Sequence, residues 1–233
     1  MKVSVVIPAF NEEKYIGKCL ESIIAQVEKP DEIIVVDNNC TDKTVAIVRN
    51  RGAKIIKEKD QGMIHARNAG FDAANYEIIA RTDADTILPR DWILKIKGYF
   101  KDPNLGALSG PVAYFSLPIL SEIFRFGAFL TFKIMGLFFG HEMLAGPNMV
   151  LRKSLWEKVK DSLCIKDSDV HEDIDLSIHF AKIARIKYDW NFGISTARAR
   201  WMKIFTEYIV RLTRMFLSHK LPLRGGKSRS GRK

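Results

Sequence analysis

Hydrophobic and polar positions divide the first half of the chain into short apolar runs separated by one-sided stripes. Val3–Ile7 is continuously apolar, and Glu12–Gln26 follows with Tyr15, Ile16, Leu20, Ile23 and Ile24 on one helical face. Ile33–Val36, Ala53–Ile56 and Glu77–Ala80 read as further strands, with helical periods over Asp42–Arg51 and Ile64–Ala74 between them. Short β-branched runs alternating with amphipathic helices predict a parallel sheet covered on both faces. Ligands of such a Rossmann-like α/β sheet collect beyond the carboxyl ends of the strands, so the residues just after each strand are the candidates for chemistry.

The second half is less regular. Gly106–Phe115 and Asn148–Leu151 read as strands and His171–Ala184 as a helix. Two stretches are strongly apolar. Phe124–Phe139 is interrupted by Arg125 and Lys133 and is shorter than the roughly 20 apolar residues a membrane span needs. Met202–Leu217 places Ile204, Phe205, Tyr208, Ile209, Leu212 and Phe216 on one face, with Lys203, Arg211 and Arg214 elsewhere. Each can pack in a core or a dimer contact, or lie in a membrane interface.

Composition narrows the class. Hydrophobic residues at 47% and charged residues at 27% of 233 positions describe a globular protein with a sizeable core. The net charge of +10 owes much to residues 220–233, which carry Lys and Arg and no acid. Such a block is either a solvated tail or a contact for an anionic surface. No nucleic-acid motif accompanies it, so nucleic acid is not expected as a partner. Cys19, Cys40 and Cys164 have neither paired nor metal-ligand spacing, and no signal peptide precedes Val3. The expected setting is cytoplasmic, with peripheral attachment to the inner face of the cell membrane as a further reading.

Four places carry candidate chemistry. Asp37 ends the second strand, where a carboxylate can accept hydrogen bonds from a nucleoside or cap the turn that follows. Asp83-Ala84-Asp85 follows the strand Glu77–Ala80, and alternation sets both carboxylates on one side of an extended backbone, able to address one hard cation. Gly62–Gly70 opens a helix with a cation at Arg67, suited to a phosphate or sugar hydroxyl or else to plain packing through Gly70. His171-Glu172-Asp173 begins a helix, where acids favour the dipole or, in a cleft, act as general base on an acceptor hydroxyl.

The order of these motifs carries a resemblance. Val5-Val-Ile-Pro-Ala-Phe-Asn-Glu-Glu13, Val36-Asp-Asn-Asn-Cys-Thr-Asp-Lys-Thr44, Ala66-Arg-Asn-Ala-Gly70, Thr82-Asp-Ala-Asp85 and Glu172-Asp173 resemble the family 2 glycosyltransferases of GT-A fold, over about Val3 to Trp201. The resemblance implies a metal-dependent, inverting hexosyltransferase using a UDP- or GDP-sugar. Pro8, Ala9, Phe10, Glu12, Asp37, Asn39, Arg67, Asp83 and Ala84 would contact the donor, Asp85 would ligate magnesium or manganese, and Asp173 would be the base. Gly146, Pro147, Asn148, Glu172, Arg200 and Trp201 would lie on the acceptor side. Processive synthases of the family carry Gln-x-x-Arg-Trp, whereas Ala197 stands where the Gln would be, so a single sugar per acceptor is expected, with a lipid-linked or glycan acceptor near a membrane. The expected division is a nucleotide-sugar-binding half at 1–105, an acceptor-binding half of the same domain at 106–200, an amphipathic helix at 201–219 and a basic tail at 220–233.

Two rivals share the fold. A nucleotidyltransferase would show a glycine-rich basic loop after the first strand, but Pro8–Glu13 is acidic and has no glycine. A non-catalytic sugar-nucleotide-binding protein would not need acids at every expected position. Oligomeric state, sugar, base and third metal ligand stay open.

Overall fold

A computed structural model describes residues 1–114, 118–163 and 172–197. Arg200, Trp201, Cys164, His171, the segment Met202–Leu217 and the basic tail lie outside the described residues. The elements run β1 (Val3–Ala9), α1 (Ile16–Ile24), β2 (Glu32–Asp37), α2 (Thr44–Arg49), β3 (Lys54–Lys57), α3 (Met63–Ala73), β4 (Ile78–Thr82), β5 (Thr86–Ile87) and α4 (Trp92–Tyr99). They continue with β6 (Leu105–Ser109), β7 (Val112–Tyr114), α5 (Pro118–Phe139), β8 (Asn148–Arg152), α6 (Lys153–Val159), α7 (Glu172–Ala181), β9 (Arg185–Tyr188) and β10 (Ile194–Thr196).

Seven strands form one mixed sheet in the order β3-β2-β1-β4-β8-β6-β9. The four strands of the first half pair in parallel, β8 runs antiparallel to both β4 and β6, and β9 is parallel to β6. The strands of the second half therefore extend the same sheet. A small second sheet, β5-β10-β7, stands beside it.

The continuous apolar runs follow from burial on both faces. Val3, Val5, Ile7 and Ala9 of β1 pack with Ile16, Leu20, Trp92 and Ile96 of α1 and α4. Val6, between them in sequence, points to the opposite layer with Ala66, Phe71, Trp156, Leu176 and Phe180. Gly70 explains how closely α3 approaches the sheet: a Cβ there would sit 2.3 Å from Val6 Cγ1 and 2.9 Å from Val36 Cγ2. Both valines are stiff at χ1 and cannot swing away.

Where periodicity and structure differ, local chemistry decides. The helix expected from Glu12 starts at Ile16, because the Glu12 carbonyl accepts from both Tyr15 and Ile16 in a turn that precedes it. The strand expected over Gly106–Phe115 breaks at Gly110-Pro111 into β6 and β7, which belong to different sheets. The apolar stretch expected from Phe124 belongs to a helix of 22 residues that already starts at Pro118. No helix among the described residues is long and apolar enough to cross a membrane.

Two glycine substitutions should act in opposite directions. Gly70→Ala should destabilise by about 1–3 kcal/mol through overpacking. Gly98→Ala, on the exposed side of α4 with nothing near its missing Cβ, should stabilise by ~0.5–1 kcal/mol. Urea unfolding of the two variants reads both signs.

Candidate functional site

The carboxyl ends of β1 and β4 open into a cavity of about 520 Å³. Pro8, Ala9, Phe10 and Glu12 line it from the loop after β1, and Asp83, Ala84 and Asp85 from the turn between β4 and β5. Gly146, Pro147 and Asp173 close it from the start of β8 and of α7. Ala128 and Phe132 of α5, with Val112 and Tyr188, form an apolar wall.

Each acid is held by its backbone setting. Asp85 Oδ1 accepts from the Thr196 hydroxyl at 3.0 Å, and the Asp85 carbonyl accepts from Ala197 N at 2.9 Å, so β10 fixes this turn. Asp83 Oδ1 lies 3.3 Å from Arg81 Nη2. Burial raises the Asp83 pKa above the ordinary carboxylate value, with Arg81 opposing and Asp85 and Glu172 reinforcing the rise. Asp173 accepts from Ile174 N at 2.9 Å and from Gly146 N at 3.3 Å, joining α7 to the segment before β8.

The loop over residues 58–62 is hung from Asn38, which the sequence reading passed over. Its side-chain amide donates to the Glu58 and Asp60 carbonyls at 3.2 and 2.7 Å, and its oxygen accepts from Gly62 N at 2.9 Å. Gly62 has φ 147, a conformation that disfavours a side chain, and both residues line the cavity. An Asn just past a strand end is the available signal, masked by its neighbours Asp37 and Asn39.

Several expected contacts do not reach the cavity. Asp37 caps its turn, accepting from Cys40 N at 2.8 Å, and Asn39, at φ 67, donates to the Lys59 carbonyl at 2.9 Å. Asn148 is fully buried, accepting from the Trp92 indole at 3.0 Å and donating to the Gly110 and Phe192 carbonyls. Arg67 has no exposed guanidinium surface and ion-pairs with Glu172 at 2.8 Å. Glu172 is consumed by the same network, because its other oxygen pairs with Arg81, which sequence reading missed altogether.

That network is compact. Burial pulls the Arg67 pKa below its usual value, and Glu172 opposes it. Burial works the same way on Arg81, but Glu172 and Asp83 outweigh it and hold Arg81 above its usual value. Gly146 passes over the cluster so closely that a Cβ there would lie 3.3 Å from Glu172 Oε1 and 3.4 Å from Arg81 Nη1.

The donor set fits a hard cation in one specific manner. Among the described residues no group of three or more His, Cys, Asp or Glu is placed to hold a metal ion. Carboxylates at one cavity wall suit an ion of the magnesium type, whose shell is otherwise filled by substrate phosphates and water.

Comparison with known proteins agrees with this geometry. The profile described as Glycosyl transferase family 2 matches residues 4–159. The chain belongs to glycosyl transferase family 2. Its GT-A fold is shared with a mannosyltransferase of Pyrobaculum calidifontis, solved with GDP-Man and Mn2+, at TM-score 0.73 and 22% identity, covering 97% of this chain and 65% of that one. Glucosyl-3-phosphoglycerate synthase of Mycobacterium tuberculosis, solved with Mn2+, UDP and phosphoglyceric acid, aligns at TM-score 0.66 and 17% identity over 96% and 80% of the two chains. Among sequence relatives, the dolichyl N-acetyl-alpha-D-glucosaminyl phosphate 3-beta-D-2,3-diacetamido-2,3-dideoxy-beta-D-glucuronosyltransferase of Methanococcus voltae is 29% identical over 135 residues, 52% of this chain and 42% of that protein. Over the matched stretch, the chain spans less than half the length of the curated relatives it matches.

Removing Glu172 leaves two buried guanidinium groups without their shared counter-charge. Glu172→Ala should therefore lose about 3–5 kcal/mol of folding stability. Chemical denaturation measures this, and Glu172→Gln, which keeps hydrogen-bond acceptance at one oxygen, should lose less.

Proposed function

We propose that this family 2 glycosyltransferase moves a single sugar from a UDP- or GDP-sugar to an acceptor hydroxyl or phosphate by one inverting displacement. The observation that carries the reading is the gathering of Glu12, Asp83, Asp85 and Asp173 around one cavity from three separate parts of the chain. Pro8, Ala9, Phe10 and Glu12 would border the nucleoside, with Asn38 and Gly62 shaping the opposite wall. Asp83 would face the ribose or sugar, in an orientation set by Arg81. Asp85, with Asp83 beside it, would hold magnesium or manganese, which when bound neutralises charge on the diphosphate.

Asp173 sits at the first turn of α7, on the acceptor side near Gly146 and Pro147. In its ionised form it would take the proton from the acceptor hydroxyl as that oxygen bonds to the anomeric carbon. The bond from that carbon to the diphosphate oxygen breaks in the same displacement, and the nucleoside diphosphate leaves with its electron pair. Attack opposite the leaving group inverts the anomeric configuration.

The apolar wall of Val112, Ala128, Phe132 and Tyr188 supports an acceptor that is partly hydrocarbon, lipid-linked or presented close to a membrane. A relative named for a dolichyl-phosphate-linked acceptor points the same way. Placement at the cytoplasmic face of a membrane follows from that reading.

Asp85→Ala should remove manganese-dependent binding of UDP or GDP, measured by calorimetry, while the free protein stays folded and loses about 1 kcal/mol with the Thr196 hydrogen bond. Asp173→Asn should keep nucleotide binding and lower transfer by about 10²–10⁴-fold, the usual span for a general base. Transfer at the parental rate would reduce Asp173 to a helix cap. Thermal shift with manganese and each nucleoside diphosphate separates UDP from GDP, since bound ligand stabilises with the logarithm of its concentration over its dissociation constant.

A further inference from the structure

We propose that the outer face of α5 is a docking surface for an anionic lipid bilayer, and that it holds the mouth of the cavity at the lipid surface. The inference deepens the reading of a membrane-presented acceptor and rests on it only for its functional meaning; the docking itself stands on α5.

The helix has two different sides. On the inner side Phe132 and Ala128 wall the cavity, and Phe129 and Phe132 stack on Tyr188 with ring centroids 5.8 and 4.9 Å away. Arg125 lies 4.2 Å over the Trp190 ring and donates to the Trp190 carbonyl at 3.1 Å, pinning the helix near β9 and the short turn after it. These contacts make α5 a fixed part of the site.

The outer side is apolar and bare. Ile123, Phe126, Leu130, Ile134 and Leu137 are 67, 58, 47, 56 and 68% exposed. Their spacing of three and four residues places them in one stripe along the axis. A contiguous apolar stripe of this length is uncommon on a surface that meets only water. It is too interrupted to span a bilayer and has the form of a helix lying in the interface, one face in the acyl boundary.

Charge complementarity selects the occupant. The chain carries a net charge of +10, and its residues 220–233 hold Lys and Arg with no acid. The described chain also leaves the fold at this place: Thr196 of β10 pairs with Tyr114 of β7, and β7 leads into α5. The last described residue, Ala197, thus lies beside the turn that carries Asp85, and the basic run follows it in sequence. An apolar stripe on a chain of net charge +10 with a basic run matches a bilayer with negative head groups on both counts. A second copy of the chain would bring the same positive charge against itself.

The test uses the full chain and vesicles of phosphatidylcholine and phosphatidylglycerol in equal parts, against vesicles of phosphatidylcholine alone. The parent should float with the anionic vesicles at low salt and progressively less as salt screens the charge. Replacing Ile123, Leu130 and Leu137 together by Ser should lower vesicle affinity by about tenfold or more, since each exposed side chain loses its buried apolar area. Parental flotation by that variant, or no flotation of the parent, overturns the proposal. So does a fall in melting temperature as large as a core substitution gives, which would mean that the chain itself covers the stripe, or a change of oligomeric state in light scattering, which would mean that a second copy does. Stabilisation by UDP or GDP with manganese is read on the same samples. Its absence would count against the transferase reading and leave the flotation result standing.

Discussion

Two guanidinium groups lie out of water beneath the cavity, and a single carboxylate, Glu172, faces both of them. Charges so placed are tolerable only when their partners are fixed, because the desolvation of each ion amounts to several kcal/mol. The requirement binds together elements far apart in sequence: Arg67 on α3, Arg81 on β4 and Glu172 at the start of α7. Once α7 is drawn in by that carboxylate, its next residue, Asp173, arrives at the cavity wall. The same pairing leaves one Arg81 nitrogen for Asp83. Asp83 and Asp173 are thus positioned by an electrostatic cluster whose two guanidinium groups are buried.

The sheet supplies the complementary constraint. Parallel pairing of β3, β2, β1 and β4 brings the loops after β1 and β4 to one end. The antiparallel entry of β8 delivers Gly146 and Pro147 to that end from the other direction. A cavity lined by acids from both halves of the chain, with an apolar wall from Val112, Ala128, Phe132 and Tyr188, is the result.

Much of this was legible in residue order. The alternation of apolar runs and stripes located β1, β2, β4 and α3, and Asp83 and Asp85 line the cavity just past a strand end, with Asp173 reaching it from the first turn of α7. Other features depended on distance rather than pattern. Arg81 sits inside a buried strand and is paired with a carboxylate 91 positions later, so no local spacing announces it. Arg67 follows a glycine at a helix start, the setting of an anion site, yet its side chain turns inward to Glu172. Asn148 is an acceptor-side residue by the family resemblance alone, and its side chain accepts from the Trp92 indole. Periodicity reports which face is apolar; it does not report which polar groups are spent on one another.

The narrow second sheet carries a consequence of its own. Its strands are two and three residues long, and Thr196 at its end is what grips the Asp85 carboxylate. Segments with so few backbone rungs open long before a domain unfolds as a whole. On warming, that carboxylate should therefore lose its Thr196 partner while the large sheet is still intact, so that order at the cavity and order in the core end at different temperatures.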